Sequence, residues 1–126
     1  MMSEKKLKRG IYSDFKTIDL GNKELIFVAG QIARDENGAI APDNIEIQTE
    51  YVFKSIEKIL KEANSSLDDV VKAVIYLTNI ENFSKVSKIR NKYFKKAKPA
   101  SALVEISATS RPGCDIEIEV TAVRNK

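Results

Sequence analysis

Two glutamates share one face of a predicted strand near the end of the sequence. Between Asp115 and Val123, apolar residues alternate with polar ones, and Glu117 and Glu119 fall on the same side. A free edge or an interface must accommodate both charges. The chain contains no histidine, which excludes Ser–His–Asp triads, paired-histidine nuclease chemistry and most zinc sites. Any general acid or base must therefore be a Glu, Asp, Lys, Tyr or Cys with a shifted pKa.

Two further residues, Gly30 and Cys114, are candidates for a role in binding or chemistry. Gly30 directly follows the apolar run from Glu24 to Ala29, which indicates either a bulge or a backbone amide that lines a pocket. Cys114 is the single cysteine, and the sequence supplies no base that would activate it as a nucleophile. Because it cannot form an internal disulfide, it predicts a reducing compartment, which we take to be the cytoplasm.

Length and charge narrow the class of protein. The 126 residues predict one domain, spanning residues 1–126, that is large enough to build a core without disulfides or metals. The net charge is +3, from 21 basic and 18 acidic residues, and is too small to indicate a nucleic-acid partner. No apolar run approaches the roughly 18 residues that span a bilayer, and the first residues have no signal-peptide core. We therefore expect neither a nucleic acid nor a membrane as partner.

The elements that must position these residues follow the order β-β-α-β-α-β-β. The strands are predicted around residues 10–20, 24–29, 70–78, 101–106 and 115–123, and the helices over 44–63 and 80–97. Ser66–Asp69 resembles a capping box, with Asp in the position where Glu is commoner. This order is typical of an α+β domain in which two helices cover one face of a sheet.

The second face of this sheet is predicted to be partly apolar. Val70, Val74 and Tyr76 on the third strand, together with Val104 or Leu103 on the fourth, leave apolar side chains that two helices cannot cover. Such a sheet usually packs against a partner sheet, so the pattern favours a homo-oligomer.

A set of co-linear segments resembles the RidA/YjgF family, formerly labelled endoribonuclease L-PSP or translation initiation inhibitor. The segments are Gly10–Ser13, Phe27–Gln31, Gln48-Thr49, Val70–Thr78, Phe83, Tyr93-Phe94, Val104-Glu105 and Ile116–Val123. They match in order and spacing, apart from a longer first hairpin and one extra residue before Asp115. The resemblance covers nearly the whole chain.

The resemblance implies a fold, an assembly and an activity. The fold would be chorismate-mutase-like and assembled as a homotrimer whose three sheets form a central barrel. Small 2-oxo or 2-imino acids would bind in clefts between subunits. Active members hydrolyse enamines and imines, such as 2-iminobutanoate and 2-iminopropanoate, to 2-oxo acids and ammonia without a cofactor or metal.

Three of the family's site residues are kept here. The pocket tyrosine falls on Tyr12, the strand-end glycine on Gly30, and the catalytic-site glutamate on Glu117. The resemblance therefore implies that Glu117 positions a water against an imine carbon or moves its proton, and that Tyr12 and Gly30 line the substrate pocket.

Three other positions depart from the family's pattern. Its serine before the glycine is Ala29, its asparagine on the second helix is Ser87, and the arginine that would hold the substrate carboxylate is Ser101. A hydroxyl cannot imitate the bidentate contact of a guanidinium with a carboxylate. Arg111, in the loop before the last strand, is a candidate substitute, although loop arginines are common.

Three functions stay open from the sequence. The first is a deaminase-like hydrolase with altered or weak activity on imines and enamines. The second is a trimeric protein that binds small molecules without catalysis, which the missing arginine favours. The third and weakest is an RNA-directed nuclease or translation inhibitor, because the chain has no histidine, no strongly basic face and no evident base-stacking motif.

Overall fold

The computed structural model describes residues 11–126, and in this part of the chain five strands and two α-helices follow the predicted order. The strand predicted from Gly10 begins outside the described residues. The elements are β1 (Phe15–Asp19), β2 (Lys23–Ile32), α1 (Ile45–Glu62), β3 (Val70–Leu77), α2 (Phe83–Tyr93), β4 (Ala100–Glu105) and β5 (Ile116–Asn125). The predicted α+β class is confirmed. No helix within residues 11–126 is long and apolar enough to cross a membrane.

The strands form one mixed sheet in the order β1-β2-β5-β3-β4. All neighbours are antiparallel except β3 and β4, which α2 connects as a parallel pair. The last strand of the chain therefore lies in the middle of the sheet. Ile75 of β3 stands opposite both Ile118 of β5 and Leu103 of β4, and these positions face the helices.

Helix α1 supplies most of the apolar layer that covers this face. Asn44 caps it by accepting a hydrogen bond from the amide of Ile47 at 3.0 Å. Its buried side chains recur at helical spacing: Val52, Phe53, Ile56, Ile59 and Leu60. The helix stops at Asn64, whose φ of 61° is left-handed. After it, Ser66 and Asp69 form the predicted capping box around a 3₁₀ turn.

Helix α2 is shorter than predicted at both ends. Asn79 accepts a hydrogen bond from the amide of Glu81 at 2.9 Å, and this cap holds residues 80–82 in a 3₁₀ turn instead of an α-helix. Val86 is fully buried. Phe83 is 46% exposed at the first residue of the α-helix.

The two helices are joined by an aromatic cluster with a polar clamp. The ring of Phe53 stacks parallel to that of Tyr93, with centroids 4.6 Å apart, and meets Phe94 edge-on. The Tyr93 hydroxyl and the Lys92 ammonium both donate to the carboxylate of Glu50. This face of the sheet is thus completed by groups of the same chain.

The opposite face of the sheet is not covered by either helix. Ile18 of β1, Phe27 of β2 and Val104 of β4 are exposed there, while Val74 and Tyr76 of β3 are half-buried. We call this surface the open face. It carries apolar side chains on four of the five strands, as the sequence predicted in general form.

One residue was assigned to the wrong face. Val70 is only 2% exposed and belongs to the core, whereas Val71 is 48% exposed. The register of β3 against β5 shifts between Val70 and Lys72, so that an extra residue reverses the alternation at this point. The strict period-2 pattern used for the prediction fails at such a bulge.

Candidate functional site

Glu117 and Gly30 meet on the open face. Gly30 lies where the register of β2 against β5 shifts, between Val28 and Gln31. A Cβ atom placed on Gly30 would be 2.2 Å from Oε2 of Glu117 and 2.9 Å from its Cδ. The carboxylate therefore occupies the space that any other residue's side chain would need. The register shift is the bulge that was one of the two sequence interpretations of Gly30, and the other, a backbone amide that lines a pocket, stays a prediction.

The surroundings of Glu117 favour its protonated form. The residue is half-buried, and loss of water raises the pKa of its carboxyl, with a further contribution from the negative charge of Glu119. Glu119 itself accepts a hydrogen bond from the hydroxyl of Tyr76 at 2.5 Å. A carboxyl with a raised pKa gives and takes a proton at a higher pH than an ordinary glutamate does.

Gln31 fixes the strand beside Gly30. Its side chain is buried, its amide donates to the carbonyl of Ala29 at 2.9 Å, and its carbonyl accepts from the Ser55 hydroxyl at 2.8 Å. These bonds hold the irregular part of β2 against α1. The sequence analysis did not assign Gln31 a role. The available signal was a polar residue at the end of an apolar strand.

Gln48 fixes the loop that precedes β5 through the hydrogen bonds of its side chain. Fully buried in α1, it donates to the carbonyl of Gly113 at 2.9 Å and accepts from the amide of Asp115 at 2.8 Å. This loop carries Arg111, which is exposed, and Cys114, which is buried. The anchored loop sets where β5 begins and hence where Glu117 stands.

Cys114 is a packing residue. Its sulfur lies 3.8 Å from the carbonyl of Ala33, and burial raises the pKa of the thiol. A buried thiol with a raised pKa is a poor nucleophile. Within residues 11–126, no cluster of three or more Cys, Asp or Glu side chains could hold a metal ion.

Ser101 lies on the other side of the sheet from Glu117. It stands opposite Ala73, whose side chain is in the core, so its own side chain faces the helices. There it helps to line a groove of about 340 Å³ between the end of α2 and the start of β4. The lining residues are Arg90, Asn91, Phe94, Lys95, Lys98, Pro99 and Ser101. We call this the cationic groove.

Ser87 lies on the helical side of the sheet, and Tyr12 lies in the segment before β1, where the carbonyl of Asp14 accepts from the amide of Ala29. Ser87 is on α2, one turn before Arg90, and its hydroxyl is buried with no hydrogen-bond partner among the described residues. Tyr12 is exposed in the segment before β1. Of the residues proposed from the resemblance, one chain therefore brings together Gly30 and Glu117, and separates them from Ser101 and Ser87 by the thickness of the sheet.

The fold defines the class of protein first. A five-stranded mixed sheet with two helices on one face is shared with the crystal structure of the YjgF gene product of Escherichia coli, with a TM-score of 0.79 and 26% identity over 92% of this chain and 90% of that one. It is also shared with RidA from an Antarctic Psychrobacter species, with a TM-score of 0.77, 30% identity and coverage of 90% and 88%.

The sequence comparisons then give the family. The model of the family described as endoribonuclease L-PSP matches residues 5–124. A RutC family protein of Pyrococcus abyssi is 42% identical over 118 residues, which cover 93% of this chain and 87% of the relative. The chain belongs to the RidA/YjgF family, and the resemblance identified from the sequence is confirmed.

Proposed function

We propose that this protein binds small 2-oxo or 2-imino acids in clefts between the subunits of a homotrimer, and that it hydrolyses imines or enamines weakly or with an altered substrate preference. The observation that carries this proposal is the half-buried carboxyl of Glu117, packed against the backbone of Gly30 with a raised pKa. The chain's membership of the RidA/YjgF family supports the proposed substrate class. No cofactor enters the proposal.

The homotrimer is proposed because the site is incomplete within one chain. Glu117 is on the open face and Ser101 is on the helical face of the same sheet. A cleft lined by both Glu117 and Ser101 must therefore take one of these two residues from a second chain. The exposed apolar side chains of the open face, including Phe27 and Val104, supply a reason for chains to associate there.

The proposed chemistry uses water and Glu117 alone. The oxygen of a water molecule bonds to the imine carbon as the C=N π electrons move to nitrogen, and the carboxylate of Glu117 takes one proton of the water and passes it to that nitrogen. In the resulting carbinolamine, Glu117 takes the hydroxyl proton as the C=O bond forms and the C–N bond breaks, and this proton passes to the departing nitrogen, so that ammonia and the 2-oxo acid are released. A carboxyl group with a raised pKa is suited to carry each proton from oxygen to nitrogen.

The weak or altered activity is proposed from Ser101. A charge-assisted contact of a guanidinium with the substrate carboxylate contributes roughly 1.5–3 kcal/mol. Its loss lowers affinity by about one to two orders of magnitude. A protein with serine in this position should bind simple imino acids poorly, even if Glu117 is correctly placed.

The test measures imine hydrolysis directly. An amino-acid oxidase generates the imino acid, semicarbazide competes for it, and hydrolysis is read as a slower formation of the semicarbazone. We expect weak activity in the wild type, none above background in Glu117→Gln, and an incomplete gain in Ser101→Arg, since Ala29 and Ser87 also depart from the family's pattern. Unchanged activity in Glu117→Gln would overturn the proposed chemistry.

The same experiment separates the second candidate, a binding protein without catalysis. That function predicts measurable binding of 2-oxobutanoate, no hydrolysis by the wild type, and no gain in Ser101→Arg. The observation that favours this binding function is that Ser101, and not an arginine, lines the cationic groove.

Nucleic acid is not a partner in this proposal. The chain has no histidine and a net charge of only +3, and purified protein is expected to leave a mixed RNA pool intact. We propose the cytoplasm as its location, because the single cysteine is buried and has no second cysteine with which to form a disulfide.

A further inference from the structure

The cationic groove holds more positive charge than a single carboxylate needs. Arg90, Lys95 and Lys98 all line it, and no acidic side chain is among its lining residues. None of the three cations forms an ion pair with another described residue. Three cations that share one concave surface without a counter-charge attract anions and are partly relieved of mutual repulsion when an anion binds.

Arg90 is held in place by its neighbours. It is half-buried, its guanidinium lies 6.0 Å from the centroid of the Phe83 ring, and its Nε donates to the side chain of Asn91 at 3.3 Å. A guanidinium ordered in this way loses little freedom when it binds a carboxylate. Arg90 and Ser101 line the same groove. A guanidinium on the helix therefore stands close to the position where the family's pattern has an arginine on the strand.

Lys98 occupies an unfavourable backbone conformation at the edge of the groove. Its φ is 46°, in the left-handed region, and its amide donates to the carbonyl of Phe94 at 2.9 Å. Glycine is the residue that usually takes this conformation after a helix, because a Cβ atom is strained there. A strained residue that also lines a cavity indicates a role for its side chain.

The rest of the lining suits a small organic molecule. Phe94 and Pro99 supply apolar surface, and Asn91 and Ser101 supply hydrogen-bonding groups. The volume of about 340 Å³ is at the lower end of what small-molecule sites show. The lining thus combines an apolar wall, neutral polar groups and three cations.

We propose that the cationic groove binds a small organic acid with at least two negatively charged groups, and that Arg90 supplies the guanidinium that Ser101 does not. This rests on the proposed function only in taking 2-oxo acids as the compounds to test. The altered substrate would then be a dicarboxylic or otherwise dianionic acid instead of a simple monocarboxylic one.

The first test compares a dianion with a monoanion by isothermal titration calorimetry. We expect 2-oxoglutarate to bind the wild type at least tenfold more tightly than 2-oxobutanoate does. Arg90→Gln should weaken 2-oxoglutarate by about tenfold or more. Lys88→Gln removes the same charge from an exposed position of α2 outside the groove and should change affinity by less than about twofold.

Three results would overturn the proposal. One is equal affinity of the wild type for the two acids, or no binding of either. Another is an equal loss in Arg90→Gln and Lys88→Gln, which would mean that only net charge matters. The third is inorganic phosphate that binds as tightly as 2-oxoglutarate with the same dependence on Arg90, which would make the groove a general anion site.

A second variant separates binding from folding. Lys98→Gly removes both a cation and the backbone strain, so it should weaken 2-oxoglutarate several-fold without lowering the melting temperature. Asn64→Gly relieves the strain of the same left-handed conformation at the end of α1, outside the lining of the groove, and should leave binding unchanged. Full affinity in Lys98→Gly would contradict a role for this side chain.

The outcome is independent of imine hydrolysis. If 2-oxoglutarate binds through Arg90 but Glu117→Gln has no effect on imine turnover, the anion site in the groove is supported and the proposed hydrolase is wrong. If hydrolysis depends on Glu117 but Arg90→Gln changes the affinity for neither acid, the hydrolase is supported and the anion site is wrong.

Discussion

The candidate site residues on the two faces of the sheet have opposite charge. The open face holds the carboxyls of Glu117 and Glu119 among apolar side chains, whereas the helical face ends in a groove lined by Arg90 and Lys98. A direct ion pair between Glu117 and one of these cations would lower the pKa of the carboxyl and neutralise the cation. The sheet keeps the two groups apart, so each retains the property that a site between two chains would use.

The two faces also differ in whether groups of the same chain cover their apolar side chains. On the helical side, Tyr93 and Lys92 satisfy Glu50, and Phe53 is fully buried by the same chain. On the open face, Phe27 and Val104 remain exposed. The helical face needs no second copy to bury its core, whereas the open face leaves apolar surface that a second copy would cover.

The largest expected effect is on assembly. The wild type should have a mass close to three times 14.1 kDa by light scattering coupled to size exclusion. Phe27→Glu places a charge on the open face and should convert the trimer largely to monomer. Ile47→Glu, at a position of α1 that is similarly exposed (40% against 43%), should leave the mass unchanged. A monomeric wild type at micromolar concentration would contradict the proposed trimer.

The next effect concerns the contact of Gly30 with Glu117. In Gly30→Ala the new methyl group would lie 2.2 Å from a carboxylate oxygen, and the flexible end of Glu117 must move away. A displacement of about 1 Å in a reacting group can cost roughly a hundredfold in rate. We therefore expect imine hydrolysis to fall by up to about a hundredfold, with little change in melting temperature.

An undiminished rate of imine hydrolysis in Gly30→Ala would contradict this prediction. It would show that the position of the Glu117 carboxylate, set by the space at Gly30, does not limit the reaction.

Local sequence patterns were sufficient to predict the elements but not their contacts. The capping box at Ser66 and the alternation in β5 depend on neighbours in the chain, and both are present. The misplacement of Val70 and the extra length predicted for α2 arose where a bulge or a cap overrides the simple period. Such interruptions depend on strand pairing and on single side-chain hydrogen bonds.

The candidate site was harder to predict for the same reason. Gly30 and Glu117 are far apart in sequence, and their contact exists only because β2 pairs with β5 in the observed register. The sequence suggested Arg111 as a substitute anion anchor, but the residue that lines a groove with Ser101 is Arg90. Arg90 directly follows Ile89, which packs against the core, and only the end of α2 and the start of β4 together place its side chain in the groove.

The smallest expected effect is a difference in pH dependence between the two faces, carried by Glu117 and Glu50. Burial and the charge of Glu119 raise the pKa of Glu117 above its ordinary value of 4.5. Burial acts in the same direction on Glu50, but the hydrogen bonds from Lys92 and Tyr93 outweigh it and lower the pKa of that carboxyl. The two glutamates should therefore contribute to stability with opposite slopes.

The signs follow from proton linkage. For Glu117, the folded protein holds the proton more tightly than the unfolded chain, so its contribution is full below about pH 4.5 and is lost as the pH rises through the raised pKa. For Glu50, the contribution is present above about pH 4.5 and is lost as the pH falls through the lowered pKa. Melting temperatures of wild type, Glu117→Gln and Glu50→Gln between pH 3 and pH 8, roughly spanning both transitions, measure this. Relative to wild type, Glu117→Gln should gain stability toward neutral pH and Glu50→Gln should lose it. Parallel curves for the two variants would mean that the surroundings of Glu117 do not favour its protonated form, and the proton transfer proposed for it would lose its basis.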